Sequence, residues 1–188
     1  MNVYDFDKTV FHPDSSVCFF RYCLKKYPLK VLPVLPKSLA LFISYRRGDC
    51  GAGPLKEQLF SFLKLLEDVD SDIAGFWSAH RHRLQPWYRR QMRGDDLIIS
   101  ASPEFLLRPI AEELGVRLIA TRMDKNTGRI EGENCHDSEK VRRFLDLYPE
   151  ETIEAFYSDS LSDAPLADLA ETAWLVKKGF LSPWPKQD

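Results

Sequence analysis

The chain has 188 residues, enough for one medium domain or a core with one insertion. Apolar residues make up 44% of it, so a real core is possible, while a net charge of −2 removes any bulk electrostatic case for nucleic acid or membrane binding. Cys18, Cys23, Cys50 and Cys135 have no CxxC spacing, which argues against a zinc site or a disulfide framework and predicts a reducing, cytoplasmic setting.

No stretch reaches about 18 uninterrupted apolar residues, so no transmembrane helix is predicted. A candidate strand begins at residue 2 and leaves no room for a cleavable leader. That strand ends in Asp5-Phe6-Asp7-Lys8-Thr9. Residues i and i+2 of an extended chain point to one side, so Asp5 and Asp7 are expected close together. Like charges at that range are costly unless a cation or a shared proton relieves them, and Mg²⁺ is the ordinary remedy. The plain alternative is an edge strand with two solvated acids.

Asp14-Ser15-Ser16 reads as a helix start, with Phe19, Phe20, Cys23, Leu24 and Tyr27 at helical spacing and Pro28 as the stop. Residues 29–45 are strongly apolar but broken by Pro33 and Pro36. Three readings compete: a core helix, an exposed face for a lipid surface or partner, or the lining of a hydrophobic pocket. Pro54 to about Glu67 reads as one amphipathic helix with Leu55, Leu59, Phe62 and Leu66 on one face. Asp72 reads as the start of another, with Ile73, Phe76, Trp77 and His80 aligned. Arginines interleaved with Trp87 and Tyr88 across residues 81–93 fit either an anionic partner or, more simply, a solvated face with its aromatics turned inward.

From Asp95 the pattern changes to strands alternating with helices. Leu97–Ser100 reads as a buried strand. Ser102 reads as the cap of a helix with Pro103 at its first position, ended by Gly115. Val116–Thr121 is the next strand, Asp124–Gly128 a hairpin turn, and Ser138 the start of a helix carrying Val141, Phe144, Leu145 and Tyr148. Ile153–Tyr157, Ala164–Ala170 and Trp174–Val176 read as strand, helix and last strand, with a frayed tail through Pro183 and Pro185. The expected fold class is α/β, a Rossmann-like parallel sheet flanked by helices. An all-helical cap, residues 13–93, interrupts a core formed by residues 1–12 and 94–188.

In an open parallel sheet, ligands bind beyond the carboxyl ends of the strands. Asp5 to Thr9, Ser100-Ala101-Ser102, Lys140 and Tyr157 to Asp163 fall there in this layout. Four carboxylates, a lysine, a serine and helix-start amides are what phosphoryl transfer requires.

The order DxDxT, a strand ending in Ser, a lone Lys and then DxxxD resembles the haloacid dehalogenase superfamily over nearly the whole chain. Ser100-Ala101-Ser102-Pro103-Glu104-Phe105 and Glu133 to Val141 are similar to its phosphoserine-phosphatase-like branch, as is a helical cap after the first motif. The resemblance implies a Mg²⁺-dependent phosphomonoester phosphatase, a phosphoric monoester hydrolase. Asp5 is then the nucleophile that forms an aspartyl-phosphate, and Asp7 the general acid and base. Thr9 fixes the loop around Asp7 and belongs with Ser100, Ala101 and Lys140 in the phosphate-binding set. Asp5, the Asp7 carbonyl and Asp159 bind Mg²⁺, and Asp163 supports the metal or hydrogen-bonds Lys140. An ion-pump register with Asp7 as nucleophile puts Phe11 where a threonine is needed, so the Asp5 register fits better. Asp7 also argues against dehalogenation, which has no leaving alkoxide to protonate.

Ser162 and Ser158 stand where the family commonly has Asn and Gly, and the Ser100–Pro103 loop departs from that of true phosphoserine phosphatases. The expected substrate is a phosphorylated small molecule or a lipid phosphate, as in a phosphatidylglycerophosphatase-like enzyme peripheral to a membrane. Transfer to an alcohol is the neighbouring alternative. A binding module using the basic cap is the non-enzymatic one.

Overall fold

A computed structural model describes residues 1–185. Strands β1 (Asn2–Tyr4), β2 (Leu97–Pro103), β3 (Arg117–Thr121), β4 (Ile153–Ser158) and β5 (Ala170–Lys177) pair in parallel, and β6 (Phe180–Pro183) is antiparallel to β5. They form one sheet in the order β3-β2-β1-β4-β5-β6. The α/β class read from the sequence is the fold observed. β1 is central, so the chain leaves it toward β2 and β3 on one side and toward β4 and β5 on the other.

Alternation of side chains sorts the sheet residues onto two faces. Val3, Leu97, Ile99, Ile119 and Phe156 share one apolar cluster with Phe144 and Leu166. Tyr4, Ile98, Ala120 and Tyr157 share the other with Phe11, Phe19, Phe76, Trp77 and Tyr88. Tyr4 stacks on Tyr157 at 4.7 Å between ring centroids and meets the edge of Tyr88 at 4.9 Å. Both geometries suit the aromatic quadrupole. The second cluster runs without a break from the sheet into the helical insertion.

The insertion holds α1 (Ser15–Lys26), α2 (Pro28–Val31), α3 (Leu35–Arg47), α4 (Ala52–Phe60), α5 (Val69–His80) and α6 (Pro86–Gln91). Asp14 caps α1 by accepting the Val17 amide, as its position predicts. The single helix expected over 54–67 is instead α4 followed by a 3₁₀ turn at Ser61–Leu65. The tighter turn accompanies burial of Phe60, Phe62 and Leu63 together, which the 3.6-residue period does not allow on one narrow stripe. α5 starts at Val69, capped by Asp68 through the Ser71 amide, and not at Asp72. Asp72 is buried and salt-bridged to Lys26 at 2.7 Å. Residues 81–93 keep Tyr88 buried and Arg81, Arg89 and Arg90 exposed, the solvated-face arrangement.

The apolar run 29–45 is not one core helix: Val31 and Val34 join the core cluster, but most of α3 does not. Of α3, only Ser38 is buried, while Leu39, Phe42 and Ile43 face outward. Pocket lining holds only at its end, where Tyr45 reaches the cavity described below.

Beyond the insertion lie α7 (Glu104–Leu114), α8 (Ser138–Leu147) and α9 (Ala164–Ala167). Gly115 ends α7 in the left-handed region at φ 69°. The tail read as frayed is β6, whose backbone pairs Phe180–Pro183 with Lys177–Trp174. Its proline is tolerated because β6 is the edge strand. No described helix is long and apolar enough to cross a membrane.

Candidate active site

The point where the chain reverses direction across the sheet, beside β1, leaves a crevice at the carboxyl ends of β1, β2 and β4. Tyr4 pairs with Tyr157 and with Ile98 in register, so the residues that follow these strand positions emerge side by side. Asp5 follows β1 directly, its amide donating to the Tyr157 carbonyl at 2.8 Å. Ser100 comes from β2, and Asp159 follows β4. A cavity of about 380 Å³ opens there, lined by Asp5, Asp7, Ser100, Ala101, Lys140, Asp159 and Asp163 from the core. Tyr45, Leu55, Lys56 and Leu59 line it from the insertion.

Lys140, near the start of α8, is the hub. Its Nζ donates to Asp5 Oδ1 at 2.7 Å and to Asp163 Oδ2 at 2.9 Å, with all three side chains nearly excluded from solvent. Burial works against its charge, but the two carboxylates outweigh it and hold the ammonium protonated above the ordinary lysine range. One ammonium does not balance two acids. Burial is therefore the main cause, with Asp163 and Asp7 adding to it, of the rise of Asp5 to about 7 against the pull of Lys140. Ser158, noted in the sequence only as a departure from glycine, donates to Asp163 Oδ2 at 2.7 Å. That oxygen is thus committed to Lys140 and Ser158.

Asp7 is held from the other side. Its Oδ1 accepts the Ser15 amide at 2.6 Å at the start of α1, and its Oδ2 accepts the Ser102 hydroxyl. Ser102 in turn meets Ser16 Oγ at 2.8 Å. Ser102 therefore does not cap α7, as its sequence position suggested; α7 begins after Pro103 with no side-chain cap. Burial, then Asp14, pushes Asp7 up to about 6 against the hydrogen bonds from Ser102 and Ser15.

The turn after Asp7 is tight. Val10 and Phe11 amides both return to the Phe6 carbonyl at 2.9 Å, and Lys8 takes φ 61°, an uncommon value for a side-chain-bearing residue. Thr9 lies beneath this turn, fully buried, and its hydroxyl has no hydrogen-bond partner among the described residues. It does not line the cavity. Ser100 Oγ accepts the Ser102 amide at 3.0 Å, and the Ala101 carbonyl accepts Thr121 Oγ1 at 2.7 Å.

Lys56 is a site residue that motif reading missed. From α4 its Nζ reaches the Ala101 carbonyl and Asn134 Oδ1, each at 2.5 Å. Burial lowers it to about 8. The available signal was a lone cation three and four positions from Leu59 and Phe60, on a stripe otherwise apolar.

Among the described residues, no three His, Cys, Asp or Glu side chains form a metal-binding group. The donors at the crevice are nevertheless hard oxygens. No described residue donates a hydrogen bond to the Asp159 side chain, whose burial raises its pKa against the pull of Lys8 and Lys177. An extra cation would balance the acids that Lys140 leaves uncompensated. Two carboxylates and a main-chain carbonyl suit Mg²⁺, which keeps several of its own waters.

The profile of the haloacid dehalogenase-like hydrolases matches residues 3–168. The chain belongs to that family. It is 27% identical to protein CicA of Caulobacter vibrioides over 89% of this chain and 82% of that protein. It is 25% identical to a histidinol-phosphatase of Neisseria meningitidis over 97% and 96%. A Bordetella pertussis protein of unknown function has the same fold, with TM-score 0.78 and 23% identity over 92% of this chain and 87% of that one. A phosphoserine phosphatase captured as a phospho-aspartyl intermediate analogue superposes with TM-score 0.62 at 15% identity, covering 91% and 83%. These structural likenesses concern the fold.

Proposed function

We propose that this hydrolase is a Mg²⁺-dependent phosphomonoesterase that works through an aspartyl-phosphate on Asp5. The observation that carries the proposal is the convergence of Asp5, Asp7, Ser100, Lys140 and Asp159 on one cavity, with Lys140 bridging Asp5 and Asp163.

In this reading a carboxylate oxygen of Asp5 attacks phosphorus, and the bond from phosphorus to the ester oxygen breaks. Asp7 gives its proton to the departing alkoxide. It then takes a proton from the water that attacks the aspartyl-phosphate, which releases inorganic phosphate and restores Asp5. Ser15 and Ser102 fix the Asp7 carboxyl for both transfers. Ser100 Oγ and the Ala101 amide are the donors for the phosphoryl oxygens, and Lys140 balances their charge. Asp5, Asp159 and the Asp7 carbonyl would hold Mg²⁺, which supplies charge neutralisation on the phosphoryl group. Lys56 adds a cation from the insertion beside the substrate. Residues 13–93 act as the cap and residues 1–12 with 94–188 as the core.

A lipid phosphate is the second reading of substrate. It is favoured by the exposed apolar helix α3, whose Tyr45 lines the cavity.

The test is phosphate release from an aryl phosphate with and without Mg²⁺. The wild type should show Mg²⁺-dependent turnover, and Asp5→Asn should lose it by about 10³-fold or more. Equal rates in the two proteins would remove Asp5 as nucleophile.

A further inference from the structure

The first half of the insertion carries charge and apolar surface that the catalytic reading does not use. Residues 15–48 contain seven Lys and Arg and no Asp or Glu, in a chain whose net charge is −2. Lys26 and Lys30 are paired with Asp72 and Glu67, but no described residue forms a salt bridge with Lys37, Arg46 or Arg47.

The same segment buries Phe19, Phe20, Val31 and Val34 but exposes other large apolar side chains. Leu29 is 86% exposed, Leu39 62% and Phe42 48%. On α3, Leu39, Phe42, Ile43 and Arg46 stand at i, i+3, i+4 and i+7, one stripe along the helix. A stripe of this kind ordinarily faces a core. Here the core side of α3 is the narrow one, where Ser38 is buried and its hydroxyl donates to the Val34 carbonyl at 2.9 Å.

An apolar stripe rimmed by unpaired cations, with no acid in the segment, complements an anionic bilayer. It does not complement a second copy of itself, because a twofold contact would press Arg46, Arg47 and Lys37 of two chains together. At 13 residues, α3 is about 20 Å long, too short to span a bilayer and long enough to lie in its interface. Its last turn carries Tyr45 to the rim of the cavity.

We propose that α2 and α3 are an interfacial anchor. They rest the insertion on an anionic membrane, with Leu29, Leu39, Phe42 and Ile43 at the acyl boundary and Lys37, Arg46 and Arg47 among the headgroups. The cavity mouth then lies beside the bilayer surface. Docking itself does not depend on the phosphatase reading, and it is measured without turnover.

The experiment is co-sedimentation of the full chain with phosphatidylcholine vesicles, pure or containing about one third phosphatidylglycerol. The wild type should pellet with the anionic vesicles, weakly with the neutral ones, and less as salt is raised. The double variant Leu39→Glu/Phe42→Glu should lose at least about tenfold in vesicle affinity, and so, independently, should Arg46→Glu/Arg47→Glu. Both pairs are exposed and outside the cavity, so the far-ultraviolet circular dichroism and soluble aryl phosphate turnover of each should match the wild type. Wild-type affinity in both variants would overturn the proposal. So would a wild-type dimer that Leu39→Glu/Phe42→Glu converts to a monomer without changing vesicle binding.

Discussion

At the scale of single residues, the site is a problem of unbalanced charge. Asp5, Asp7, Asp159 and Asp163 meet at one crevice, and burial raises the first three above the ordinary carboxylate range. Lys140 answers two of the four. Lys56 answers from the insertion, yet its own burial brings it down to about 8. Its ammonium is therefore mostly present below pH 8 and lost as pH rises through that value. Binding of an anionic substrate should follow that loss. KM should rise by about tenfold between pH 7 and pH 9. Lys56→Arg should flatten the rise, because guanidinium stays charged, and Lys56→Gln should show the high KM at both ends. A KM that climbs equally in Lys56→Arg would assign the effect to another group.

At the scale of elements, the insertion is stitched to the core by close backbone approach as well as by side chains. Gly128, in the turn after β3, sits at φ 73°, and a Cβ there would come within 2.4 Å of the Phe60 carbonyl at the end of α4. Gly128→Ala should cost about 2 kcal/mol or more and lower the melting temperature by roughly 4–8 °C in a thermal denaturation scan. Unchanged melting would mean that the α4 end and this turn are not in contact in solution.

Elements also show how far the residues could be read in advance. The stretches at the strand ends were legible because a strand end is set locally, by Val3 and Tyr4 or by Phe156 and Tyr157 giving way to acids and serines. Lys140 was legible from its place near a helix start. The role of Ser102 was not, since a serine before Pro-Glu caps a helix as plausibly as it holds an acid 95 positions away in sequence. The outward face of α3 stayed one of three readings because an apolar run does not state which side meets the core. β6 was missed because Pro183 reads as a breaker until an edge position is available to it.

At the scale of the whole molecule, one mostly parallel sheet opens the crevice at its direction reversal, and the helical insertion lines the cavity from the other side. The apolar cluster that joins Tyr4, Phe19, Phe76 and Tyr157 makes insertion and sheet a continuous packed body. The cavity is thus fixed between the sheet ends and the helical insertion. The proposed chemistry depends on Asp5 carrying the phosphoryl group. The direct measurement is acid quenching of the protein during turnover of a phosphoryl-radiolabelled monoester, followed by hydroxylamine treatment. The wild type should hold label that hydroxylamine releases, Asp7→Asn should accumulate more of it, and Asp5→Asn should hold none. Label that persists in Asp5→Asn would contradict the account.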